Sequence, residues 1–283
     1  MSRKLIFLDI DGTLALPGTT APVPSALRAI RDAQARGHRV FLSSGRNLAM
    51  IRPFLGYGFD GVVASAGGYI RCRDRVLYDC PMTDAQRDET LRLLGEGHVL
   101  RTVECLEETY SDDLAEAFRD ADPKLMNSEM MRWHRQCSEN LGMRPLAEYG
   151  GEPVYKVAFL CAREDQLDSA RARLEGDFAF CTYRSDSGGY LNGELINRAF
   201  DKGRALLRVC EALGVDASDT VGFGDNLNDL ELIQTAGTGV CMGNGHPDLK
   251  ARADLICRPI EEDGLAWAFV HLGLADRRAV WEA

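Results

Sequence analysis

Asp9 and Asp11 stand one residue apart at the end of an apolar run, Leu5-Ile6-Phe7-Leu8, and are followed at once by Gly12 and Thr13. A short continuous apolar run closed by a glycine turn reads as an interior strand of a parallel sheet. Open α/β sheets place their ligands at the carboxyl ends of such strands. Two carboxylates crowded there repel one another unless a cation or a donor-rich phosphate site offsets them. The chemistry this suggests is a Mg²⁺ site containing a nucleophile. The competing reading is that Asp9 and Asp11 cap a turn, as aspartate often does.

Three distant segments end or follow apolar runs with residues that phosphoryl transfer uses. Val40-Phe41-Leu42-Ser43-Ser44-Gly45-Arg46 reads as a second strand ending in hydroxyls, a glycine and a guanidinium. A small hydroxyl, backbone N–H groups and the planar fork of Arg46 suit phosphoryl oxygens, although Ser43 or Ser44 alone would serve equally as a turn residue or N-cap. Phe200-Asp201-Lys202-Gly203 opens a helical pattern running through Leu213. That puts the Lys202 charge against the local helix dipole, where a nearby anion would explain it; a solvated surface lysine is the alternative. Thr220-Val221-Gly222-Phe223-Gly224-Asp225 then leads through Asn226, Asn228 and Asp229 into a helix. Asp229 falls in its first turn, able either to cap free amides or to face a metal.

In order, spacing and residue type, these segments resemble the four motifs of the haloacid dehalogenase-like superfamily, specifically its Cof-type phosphatases. Asp9-Ile10-Asp11-Gly12-Thr13 is similar to the first motif, Ser44-Gly45-Arg46 to the second, Lys202-Gly203 to the third, and Gly224-Asp225 through Asn228-Asp229 to the fourth. Val240-Cys241-Met242-Gly243-Asn244-Gly245 and the residues through Gly264 resemble that subgroup's C-terminal end. The resemblance implies a Rossmann-like, doubly wound parallel-sheet core with an inserted α/β cap. It also implies a two-step hydrolysis in which Asp9 attacks phosphorus and water cleaves the aspartyl-phosphate. By the same analogy Asp11 is the general acid and base. Mg²⁺ is bound by the Asp9 carboxylate, the Asp11 backbone carbonyl and Asp225, with Asp229 a further candidate. Ser44, Gly45, Arg46, Lys202 and Asn228 are the expected substrate contacts, Ser44 and Lys202 holding the transferring oxygens. Two departures stand out. Ala66-Gly67-Gly68 replaces the usual Asn-Gly after Ser65, and Gly245 stands where alanine is commoner.

The motifs leave a gap, so residues 1–81 and 194–283 read as one discontinuous core and 82–193 as the insert. Within it, Val154 to Leu160 has the pattern of a strand and Glu164 to Leu174 that of a polar-faced helix. Phe178 to Tyr183 and Tyr190-Leu191 could form a hairpin across residues 185–189. Such a cap would close over the cleft and select the leaving alcohol. Arg184, Tyr183, Lys156, His134 and Trp133 are candidate contacts, each more readily explained by surface or packing roles, and the lone histidines read as structural.

The 283 residues, 45% of them hydrophobic, suffice for a large core. A formal net charge of −10 argues against broad nucleic-acid binding, and no basic amphipathic stretch points to a membrane. Nine cysteines without a C-x-x-C pair argue against a zinc site or disulfide framework. The apolar run after Met1-Ser2-Arg3-Lys4 is too short for a signal peptide, so a cytoplasmic enzyme is expected, monomeric or a small homo-oligomer. The expected activity is Mg²⁺-dependent hydrolysis of a small phosphorylated metabolite, with a sugar phosphate as the class the resemblance favours. The alternatives are a phosphomutase using the same aspartyl-phosphate and a non-catalytic sugar-phosphate-binding regulator.

Overall fold

A computed structural model describes residues 3–114, 143–184 and 190–282. The chain forms two units, Met1–Asp79 with Phe200–Ala283, and Cys80–Ala199. The junctions expected at 81/82 and 193/194 thus move to 79/80 and 199/200. The second shift has a simple cause: Leu191–Asn197 is one continuous strand paired within the inserted unit, and a junction at Gly193 would cut it.

The first unit is built on an eight-stranded sheet. Its order is Leu255–Ile256, Thr238–Cys241, Thr220–Gly224, Leu5–Leu8, Arg39–Ser43, Gly61–Ala64, Tyr69–Cys72 and Arg75–Asp79. The first six run parallel and the last two form an antiparallel edge. This is the expected doubly wound core, extended by a hairpin. All four residues of Leu5–Leu8 are buried, as a strand covered on both faces requires. From that central strand the chain proceeds to Arg39–Ser43 on one side, while Thr220–Gly224 pairs on the other. Strand order therefore reverses at Leu5–Leu8, and the crevice at such a reversal is where these sheets bind ligands.

Packing fixes this central pair. The rings of Phe7 and Phe41 stack with centroids 5.2 Å apart, both fully buried. Helix Lys202–Leu213 begins at a true cap, Arg204 N donating to the Asp201 carboxylate at 2.7 Å, and ends on Gly214 at φ 64°.

In the second unit a six-stranded sheet runs in the order Phe178–Arg184, Leu191–Asn197, Val154–Cys161, Leu100–Cys105, Thr109–Ser111 and Met143–Pro145. All neighbours are antiparallel except the last pair. Val154–Cys161 is buried along its whole length. Val157, Phe159 and Cys161 join Leu93, Leu94, Leu167 and Leu174 in one apolar cluster. The helix expected from Glu164 is α-helical only from Asp168 to Leu174, preceded by a 3₁₀ turn at Glu164–Leu167. The expected hairpin pairs from Phe178↔Asn197 to Arg184↔Leu191, and its connecting residues 185–189 lie outside the described residues. Every described cysteine is a free thiol, and burial pushes Cys105 and Cys241 up to about 12, which makes them inert packing groups.

Phe41→Ala empties a fully buried site beside the Phe7 ring. Denaturant unfolding is expected to show a loss of about 3–5 kcal/mol.

Candidate active site

The ladder between Leu5–Leu8 and Thr220–Gly224 closes with Asp9 N donating to the Phe223 carbonyl at 3.0 Å. Beyond this point the two strands carry their acidic residues into neighbouring turns. Gly12 adopts φ 79°, and a Cβ there would stand 2.3 Å from an Asp225 carboxylate oxygen. Both the left-handed backbone and the close approach demand glycine. Thr13 Oγ1 donates to Asp225 at 3.4 Å, a weak tie between the same turns.

Lys202 lies between the carboxylates. Its ammonium is 1% exposed and donates to Asp9 at 2.6 Å and to Asp229 at 2.5 Å. The expectation of a nearby anion is met twice over. Asp229 spends its other oxygen on the backbone N–H groups of Asp225 and Asn226, at 3.1 and 3.2 Å. Both readings open for Asp229 thus meet in one residue: it caps the turn and belongs to the acidic group. Its oxygens are committed to protein donors, so Asp9 and Asp225 are the better placed to offer oxygens to a cation.

Asp11 is separate from that cluster. Arg46 grips its carboxylate with both arms of the guanidinium, Nε at 2.8 Å and Nη2 at 2.5 Å. The fork expected to face phosphate is directed at Asp11 instead. The Arg46 guanidinium also lies 5.6 Å from the Phe54 ring centroid. Ser44 is buried, and its hydroxyl accepts from Arg46 N at 3.2 Å. Gly45 leaves room beside Asn228, whose amide would lie 4.0 Å from a Cβ at that position. The turns after three strands and the start of one helix thus bring Asp9, Asp11, Ser44, Gly45, Arg46, Lys202, Asn228, Asp225 and Asp229 to one end of one sheet.

The segment after Thr238–Cys241 contributes two clasps that the motifs did not suggest. Asn244 Nδ2 donates to the Gly12 carbonyl and its Oδ1 accepts from Ile260 N, both at 2.9 Å. His246 N donates to the Asp225 carbonyl at 2.7 Å. An asparagine between two glycines, within the segment that resembles the subgroup's C-terminal end, is the sequence signal for this. Gly245 also finds its reason here, since a Cβ would press within 2.6 Å of Cys241 Sγ and 3.0 Å of the Asp225 carbonyl.

Among the candidate contacts in the inserted unit, Lys156 is buried between Glu194 at 2.6 Å and Glu104 at 3.3 Å. Tyr183 is exposed. His134, Trp133 and the Arg184 side chain lie outside what is described. His38 accepts from Lys4 N at 3.0 Å, burial holding its pKa below the usual value, and His271 stacks on Trp267; both serve structure.

Asp9, Asp225 and Asp229 each offer a carboxylate oxygen within 4.8 Å of the others. Burial, then the Asp229 charge, lifts Asp9 to about 7; burial, then the Asp9 charge, lifts Asp225 to about 8. Lys202 opposes both shifts without cancelling them. Burial alone would lower the pKa of Lys202, but the two carboxylates reverse this and hold it above the ordinary range. The group is an all-oxygen, over-acidic set short of positive charge, which fits Mg²⁺. Folding the metal-free chain therefore traps protons that an unfolded aspartate releases near pH 4. The contribution of these two groups to stability is present at low pH and is lost as pH rises through about 7 to 8. Mg²⁺ bound by these carboxylates would compete with those protons, so its stabilising effect should grow with pH. Melting curves with Mg²⁺ and with chelator are expected to separate more at pH 8.5 than at pH 6; an equal separation would contradict this.

The sequence profile of the haloacid dehalogenase-like hydrolases matches residues 6–269. Bacillus subtilis YkrA is 30% identical, with 97% of this chain and 99% of that protein aligned. The Escherichia coli pyridoxal phosphate phosphatase YbhA is 26% identical over 96% of this chain and all of its own. A solved haloacid dehalogenase-like hydrolase from B. subtilis superposes with a TM-score of 0.74 at 26% identity, covering 95% of this chain and 99% of its own. The chain belongs to the haloacid dehalogenase-like hydrolases, as an enzyme of their Cof-type phosphatase branch.

Proposed function

We propose that the chain is a Mg²⁺-dependent phosphatase that hydrolyses a small phosphorylated metabolite through an aspartyl-phosphate on Asp9. The observation that carries this reading is the buried Lys202 bonded to both Asp9 and Asp229 at the strand ends, with Asp225 in the same acidic group and Asp11, nearby in sequence, held by Arg46. A nucleophilic carboxylate must be fixed in place and relieved of repulsion from the phosphate it attacks. Lys202 fixes one Asp9 oxygen and uses two of its three N–H groups on carboxylates, which leaves one for a phosphoryl oxygen. Mg²⁺, held by the Asp9 carboxylate, the Asp11 backbone carbonyl and Asp225, would supply the remaining positive charge.

In the first step the second Asp9 oxygen bonds to phosphorus, and the ester oxygen departs with a proton from Asp11. In the second, Asp11 takes a proton from water as that water attacks phosphorus; Asp9 leaves as carboxylate and phosphate is released. Arg46 orients Asp11 for this exchange. Ser44, Lys202 and Asn228 would steady the phosphoryl oxygens, the electrostatic task that dominates this chemistry. A sugar phosphate is the substrate class that the motif resemblance favours, and the name of YbhA adds pyridoxal phosphate as a comparison.

Phosphate release from sugar phosphates, pyridoxal phosphate and an aryl phosphate tests the reading. Metal-dependent release is expected, abolished in a folded Asp9→Asn variant and reduced about 10²–10⁴-fold in Asp11→Asn. Full activity in Asp9→Asn would overturn the proposal. Transfer to added sugar in preference to release would favour a mutase, and binding without turnover a regulator.

A second outcome is expected at Lys202. Lys202→Met should cut turnover by about 10²–10³-fold and lower the melting temperature, because it strands two buried carboxylates.

A further inference from the structure

Strand Gly61–Ala64 ends in an unusual way. Ser65, Ala66 and Gly67 follow one another at φ 49°, 56° and 111°. Two successive non-glycine residues in the left-handed region are disfavoured, since each Cβ crowds the following carbonyl. Asparagine or aspartate tolerates that region by bonding its own backbone; alanine has nothing to bond with. Serine could, but the Ser65 hydroxyl is buried and finds no hydrogen-bond partner among the described residues. Neither side chain compensates for the conformation, so its support must come from the neighbours.

Those neighbours belong to the site. Ser65 N donates to the Arg46 carbonyl at 2.8 Å and Ala66 N to the Ser44 carbonyl at 3.0 Å, while Ser44 N donates to Val63 at 2.9 Å. The turn is thereby laced to the Ser44–Arg46 loop. On its other side, a Cβ at Gly67 would lie 2.6 Å from the Asp201 carbonyl and 3.3 Å from Ala205 Cβ, and one at Gly68 would lie 2.8 Å from the Phe200 ring. Asp201 caps the helix that begins at Lys202. One strained turn is thus bonded to the loop carrying Ser44 and pressed against the helix start carrying Lys202. A plain connection into Tyr69–Cys72 would need neither the double left-handed conformation nor the close approach. Backbone strain kept in place by its surroundings is a recurrent means of pre-organising a site.

We propose that Ser65-Ala66-Gly67 is a positioning turn, which sets the Ser44 loop and the N-terminus of the Lys202 helix at the separation a phosphoryl group requires. Its role rests on the phosphatase reading, in which Ser44 and Lys202 hold phosphoryl oxygens. Ala66 touches no substrate; it acts through the backbone of both partners.

The test uses the full chain loaded with Mg²⁺, well below its melting temperature. Inorganic phosphate affinity and Mg²⁺ affinity are measured by calorimetry, alongside kcat and KM. Ala66→Asn, which suits the left-handed region, should keep phosphate affinity and kcat within about twofold. Ala66→Val, whose branched side chain resists it, should weaken phosphate binding and lower kcat about tenfold or more, with Mg²⁺ affinity unchanged. A folded Ala66→Val that binds phosphate and turns over like the parent would overturn the proposal. Should that variant not fold, Ala66→Gly replaces it, because glycine accepts this backbone but does not enforce it. Phosphate affinity about threefold weaker at an unchanged or higher melting temperature is then expected, and unchanged affinity would overturn the proposal. A parent protein that neither binds phosphate nor releases it from esters would reject the phosphatase reading, and this proposal with it.

Discussion

One buried cation organises this molecule's site. Lys202 sits almost wholly out of water between Asp9 and Asp229, with hydrogen bonds of 2.6 and 2.5 Å. A desolvated ammonium is tolerable only when paired, and two desolvated carboxylates only when something positive lies between them. Each group makes the others possible. The arrangement remains short of positive charge, because Asp225 and Asp9 still sit above the ordinary carboxylate range. That deficit is the physical basis for proposing a cation at the site, and Lys202 both fixes the orientation of the Asp9 carboxylate and limits the repulsion around it.

The scaffold keeps the acidic turns together against their mutual repulsion. Gly12 lets one turn approach Asp225, and Gly224 leaves space that a Cβ would contest with Asp229 at 2.4 Å. Asn244 and His246 then tie the two turns from a third segment. Hydrogen bonds of this kind are worth only about 1 kcal/mol each, but they act on groups that burial has already placed. Asp11 is governed separately through Arg46, half-exposed where Asp9 is buried. Two carboxylates one residue apart thus occupy different surroundings, Asp9 buried against Lys202 and Asp11 partly open and held by Arg46; the proposed division of labour, attack by one and proton exchange by the other, rests on that difference.

The sequence alone determined the fold class and which residues are candidates for chemistry. Leu5–Leu8 is an apolar run whose burial follows from composition and length, Val154 to Leu160 reads as a strand apart from its Lys156, and the acidic residues after the first run could be named because open α/β sheets bind ligands at the carboxyl ends of strands. Three things needed the tertiary structure. Arg46 chooses Asp11, Asp229 divides its oxygens between Lys202 and two amides, and Ala66 takes a left-handed turn. Each depends on at least one partner tens of residues away, or on backbone angles that neighbours impose against local preference. A motif records which side chains a site contains; which donor faces which acceptor is settled by the burial, repulsion and close approach that exist only once the strands are assembled.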